Sequence, residues 1–157
     1  MIKTISIPEW HQLAESGTAL PVRIQLNGSS MAPLIRINHD YVTVIPLKET
    51  PIAGDIVLFF EPHSDRYIVH RVWDVQNGQI LTWGDNCAKP DGWLPREVVW
   101  GKITRIERGK RTINPNPEKG LKWARFWHKA GRSYRFVMRY VEAVKRRIKK
   151  LTSRGFR

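Results

Sequence analysis

Three short segments carry side chains suited to acid–base or nucleophilic chemistry. Gly28-Ser29-Ser30-Met31-Ala32-Pro33 follows an alternating stretch. A Ser at a strand-to-turn junction can project its hydroxyl clear of a sheet, although Ser in a Gly-containing turn ordinarily serves the turn itself. Tyr67-Ile68-Val69-His70-Arg71-Val72 sets an imidazole within a strand pattern, where it is either a satisfied core histidine or a base. Gly84-Asp85-Asn86-Cys87-Ala88-Lys89-Pro90-Asp91 is a polar loop with two carboxylates, residues that commonly cap or turn loops. A hydroxyl is a weak nucleophile at neutral pH and needs a base within hydrogen-bond reach. An imidazole titrates near pH 6.5 and can take and return that proton. A carboxylate orients the ring and stabilises its charged form. Cys87 has no distinct base of its own in this reading and counts as packing. His11, His39, His63 and His128 show no metal-ligand spacing, so neither a metal nor a cofactor is expected.

Taken together, the ordered segments resemble the type I signal peptidases. The order is G-x-S-M-x-P at Gly28 to Pro33, G-D-I-V-L-F at Gly54 to Phe59, I-V-H-R-V at Ile68 to Val72, L-T-W-G-D-N at Leu81 to Asn86, and a late G-K-I at Gly101 to Ile103. The resemblance spans about residues 22–104 and is closest to the archaeal and endoplasmic-reticulum branch, which has His where most bacterial enzymes have Lys. It implies a serine peptidase of the S24/S26 superfamily, with a mostly β, antiparallel body like that of signal peptidases and repressor-cleavage domains. By position, Ser30 matches the nucleophile, His70 the general base and Asp91 the distal carboxylate. Asp85 matches the family's Gly-Asp-Asn acid, with a loop-supporting role. Gly28 stands where most members have an oxyanion-hole Ser, with Ser29 between it and Ser30; the self-cleaving repressor relatives also have Gly there. His39-Asp40 replaces the usual Gly-Asp, and the family's N-terminal membrane anchor has no counterpart.

The elements that must position these groups are mostly strands. Residues 6–17 read as a short helix or turn, with Pro8 at a first helical position and Gly17 as the stop. Val22, Ile24 and Leu26 alternate with polar residues, as in a half-buried strand. Tyr41 to Leu47, Ile56 to Phe60, Tyr67 to Val75, Gln79 to Trp83 and Val98 to Glu107 read as further strands, and Asn77-Gly78 is a strong hairpin signal. The expected organisation is a β domain over 1–108, a linker over 109–120 and a basic amphipathic helical tail over 121–157. In that tail Trp123, Trp127, Ala130, Tyr134, Val137, Val141, Val144, Ile148 and Leu151 recur at helical steps, with Gly131 as a weak point.

Charge divides the same way. Of the 157 residues, 1–104 hold 9 Lys/Arg and 11 Asp/Glu, whereas 105–157 hold 18 and 3. The net charge of +13 therefore belongs to the tail, which suits an anionic surface: a membrane through residues 121–151, or nucleic acid. Packing of the stripe on the body or in a homo-oligomer is the other reading. A hydrophobic fraction of 41% suits a globular protein, and no stretch approaches a bilayer span. A single Cys excludes an internal disulfide, and with no secretory signal in view the expected location is cytoplasmic, peripheral on the inner face of the membrane. The expected function is a serine endopeptidase acting on a peptide or protein by a Ser-His-Asp mechanism. The alternatives are a catalytically idle peptidase fold that binds peptides or proteins, and a nucleic-acid-binding protein acting through its tail.

Overall fold

The structure, a computed structural model, describes residues 5–130. Helix α1 (Ile7–Glu15) opens with Ser6 as N-cap. The Ser6 hydroxyl accepts from the Glu9 N–H, and the Glu9 carboxylate accepts from the Ser6 N–H at 2.9 Å, which satisfies two otherwise orphan donors. The helix buries Trp10, whose indole N–H donates to Leu20 O at 2.8 Å.

Eight strands follow: β1 (Val22–Gln25), β2 (Asp40–Pro46), β3 (Ile56–Glu61), β4 (Arg66–Gln76), β5 (Gln79–Trp83), β6 (Gly92–Pro95), β7 (Val99–Arg108) and β8 (Arg111–Ile113). They form one curled antiparallel sheet in the order β1-β2-β7-β3-β4-β5-β6, with β8 on β7. The protein body is thus mostly β, as the resemblance implied.

The continuous apolar run of β3 is explained by its position between β7 and β4, where both of its faces are covered. Ile56 and Leu58 point into a cluster with Trp10, Met31, Ile35, Val42, Val44, Val69, Ile103 and Ile106. Val57 and Phe59 point into a second cluster with Val72, Ile80 and Val99. Gly101 lets the first cluster close: a Cβ there would lie 2.5 Å from Val44 Cγ1 and 2.9 Å from Trp10 Cη2. Asn77 and Gly78, both at positive φ, turn β4 into β5 with Gln76 opposite Gln79.

The sequence expectations change at two places. The segment 109–120 is not a plain linker. Gly109, at φ 57°, turns the chain after β7, Arg111–Ile113 pair back on Ile106–Arg108 as β8, and a helix begins at Pro117. That helix, α2, runs over residues 117–130, and the Asn116 side chain caps it by accepting from the Lys119 N–H at 2.9 Å. The second is β6, a short strand that continues directly from the polar 84–91 loop. The buried residues of α2 are Leu121, Ala124 and His128, while Trp123 and Ala130 of the sequence stripe are exposed. The stripe positions from Tyr134 to Leu151, and Gly131, lie outside the described residues. Among the described residues no helix is long and apolar enough to cross a membrane.

Candidate active site

His70 and Arg71 are consecutive in β4, so their side chains leave opposite faces of the sheet. Each meets a carboxylate from the chain that returns between β5 and β6. His70 is 5% exposed, with its ring edge-on to Phe59 at 6.0 Å between centroids. Its Nδ1 donates to Asp91 Oδ2 at 2.6 Å. The same oxygen accepts from the hydroxyl of buried Thr82 at 2.8 Å, and the Asp91 N–H donates to Thr82 O at 2.9 Å. Asp91 is therefore held by side chain and backbone at once, and it aims the imidazole.

Asp85 is on the other face. It accepts from Arg71 Nε at 2.8 Å and Arg71 Nη2 at 2.7 Å, and Arg71 Nη1 donates to Gly54 O at 2.9 Å. Both ionic side chains are essentially sealed from solvent. A Cβ on Gly120 would lie 2.5 Å from Arg71 Nη1, so glycine at the start of α2 is what admits the guanidinium. Two parallel charge-assisted bonds plus a carbonyl satisfy this pair as burial demands.

Ser30 is half-buried at the start of the loop after β1, beside the core residue Met31, and Ala32–Pro33 is a cis peptide. Asn86 ties this loop to the one bearing the acids. Its backbone N–H donates to Ser30 O at 2.7 Å, and its side chain donates to Ser29 O at 3.3 Å. The far end of the Ser30 loop is fastened by buried Asp40. That carboxylate accepts from the Arg36 N–H at 2.9 Å and from Arg108 Nη2 at 2.6 Å, and the Arg108 hydrogen bond above all holds it below the usual Asp range. Gly28 and Ser29 are exposed, and Gly28 has open space around its Cα.

No hydrogen bond joins the Ser30 hydroxyl to the ring among the described residues. The side chain at Nε2 is Cys87, with Sγ 3.9 Å away. This corrects the sequence reading of Cys87 as incidental packing. Pairing of Arg71 with Trp83 across β4–β5 sets the 84–87 turn, closed by Cys87 N–H to Gly84 O, directly over the imidazole. Gly84 makes the approach possible, since a Cβ there would lie 2.7 Å from both Sγ and Nε2. Thr82, Asn86 and Arg71 were likewise not singled out in sequence; the Arg in I-V-H-R-V was the one available signal.

The environment of His70 acts in two directions. Burial, the largest single effect, disfavours the charged ring. The Asp91 hydrogen bond and then the Cys87 contact together outweigh it, and the pKa is pushed up to about 9. A cleft of about 940 Å³ opens elsewhere, lined by residues that include His11, Lys48, Asp55 and Trp100. Neither Ser30, His70 nor Asp91 lines it. Its His11 stacks on Trp100 at 3.8 Å and lies 3.6 Å from the Glu15 carboxylate, beyond hydrogen-bond distance, so the 2.6 Å His70–Asp91 pair is the stronger candidate for chemistry. Among the described residues no group of acidic, His and Cys side chains is arranged to hold a metal ion. No protein-family model matches the chain, and no curated protein matches it either.

Proposed function

We propose that the chain is a serine endopeptidase of the signal-peptidase type, acting on peptide or protein substrates with Ser30 as nucleophile, His70 as base and Asp91 as orienting acid. The observation that carries this reading is the 2.6 Å His70–Asp91 hydrogen bond beside a Ser30 loop tethered to the same turn through Asn86. In the reaction, His70 Nε2 takes the Ser30 proton as Oγ attacks the scissile carbonyl. The ring then returns the proton to the leaving amine, and a water repeats the sequence on the acyl-enzyme. With a pKa near 9, about one ring in a hundred is free to accept a proton at pH 7. Turnover therefore rises about tenfold per pH unit until the ring titrates. The inner face of the cytoplasmic membrane remains the proposed location.

The 3.9 Å contact between Cys87 Sγ and Nε2 favours a second reading, in which Cys87 is the nucleophile of a Cys-His-Asp arrangement. A fluorophosphonate probe followed by peptide mass mapping separates the two. Modification at Ser30, lost in Ser30→Ala and retained in Cys87→Ala, supports the serine mechanism. Modification by an electrophilic peptide at Cys87, with peptidase activity surviving Ser30→Ala, supports the cysteine one. Absence of turnover and of labelling across a diverse peptide library leaves the idle peptidase fold.

A further inference from the structure

Helix α2 buries Leu121, Ala124 and His128, and this phase decides which side chains it offers to solvent. Phe126 is 67% exposed and Trp123 36% exposed, with the Trp127 ring stacked on Trp123 at 5.4 Å. At 100° per residue, Phe126 shares a ridge with Lys122 and Lys129, and Arg125 adjoins it; all three cations are exposed. Nearby Glu118 is engaged by Lys122 at 2.7 Å. A helix that leaves large aromatics outside while it buries Ala and His is not using them for its own packing.

We propose that this aromatic and cationic face of α2 docks on an anionic lipid surface. Two observations choose that occupant. Charge complementarity calls for a negative partner, because residues 105–157 carry 18 Lys/Arg against 3 Asp/Glu. The exposed Phe126 and Trp123 call for a partner with an apolar layer beneath its charge, which a bilayer interface has and a phosphate backbone lacks. Trp is enriched at that interface, where its ring is half in hydrocarbon and half in headgroups. Lys and Arg extend their stems along the apolar surface and keep their charges at headgroup level. The proposal stands independently of the peptidase reading.

The test is co-sedimentation of the full chain with vesicles of pure phosphatidylcholine and with an equimolar mixture of phosphatidylglycerol and phosphatidylcholine. The chain is expected to pellet with the mixed vesicles only. Moderate salt is expected to weaken the binding and leave a residue of it, since the apolar contribution is unscreened. Phe126→Gln is expected to lower vesicle affinity about tenfold or more, and Lys129→Gln several-fold. Both are surface substitutions, and an unchanged melting temperature checks the fold. Equal vesicle binding by wild type and Phe126→Gln overturns the proposal. So does indifference to phosphatidylglycerol, or stripping of the chain from vesicles by duplex DNA at physiological salt. Self-association that is lost in Phe126→Gln, measured by equilibrium sedimentation without lipid, assigns the face to a second copy and overturns it as well.

Discussion

His70 and Arg71 are adjacent in β4, each bonded to a carboxylate of one short returning segment, yet they are built for different tasks. The Arg71–Asp85 pair is sealed: side-chain exposures are 1% and 0%, three hydrogen bonds hold the guanidinium, and Gly120 leaves it just enough room. The His70–Asp91 pair keeps Asp91 at 20% exposure and leaves Nε2 facing a weakly bonding thiol. Its proton can leave and return. Strand parity alone separates a permanent clamp from a switchable base, and the clamp holds the turn that the base works against.

The contrast can be broken most severely at the nucleophile. Ser30→Ala is expected to lower kcat by roughly 10^6-fold on a cleavable peptide, with little change in melting temperature. Retention of wild-type turnover in that variant eliminates the serine mechanism. Asp91→Asn removes the orienting charge and is expected to lower kcat about 10^4-fold. In wild type, kcat/KM is expected to rise with pH to a midpoint near 9, and in Asp91→Asn the midpoint moves down because the main interaction that raises the ring's pKa is lost. A pH–rate profile in both proteins measures this. The sign for stability follows from the same shift. A ring pKa raised to about 9 contributes stability in full below pH 6.5, and that contribution is lost as pH rises through about 9.

On the clamp side, Asp85→Ala strands a buried guanidinium and is expected to destabilise the fold by about 3–5 kcal/mol, read by urea unfolding. Its pH–rate midpoint should stay near the wild-type value if enough folded protein remains to assay. Gly120→Ala should cost about 1–3 kcal/mol by crowding Arg71, again by urea unfolding. The smallest effect separates the two nucleophile readings. Cys87→Ala removes one of the contacts that raise the His70 pKa, so its midpoint should fall and activity at pH 7 should increase by up to about tenfold. A collapse of activity in Cys87→Ala favours the thiol.

Much of the framework was readable from residues alone. Period-two alternation in Val22, Ile24 and Leu26, the apolar run Ile56 to Phe60 and the Asn77-Gly78 turn are local signals, because side-chain direction and turn conformation depend on neighbours in the chain. The division of charge near residue 105 is likewise a property of composition. The candidate residues Ser30, His70 and Asp91 came from ordered motifs, not from periodicity. The resemblance also implied Asp91 as the partner of His70, but the partner of Asp85 and the place of Cys87 lay beyond both kinds of signal. That Asp91 bonds His70 while Asp85 bonds Arg71 depends on which sheet face each returning carboxylate reaches. The Cys87 contact depends on a register that spans the β4–β5 hairpin, and Gly84 and Gly120 matter only because distant side chains press on them. In α2, periodicity shows that a face exists, but that Ala124 is buried and Trp123 exposed is legible only in the tertiary structure.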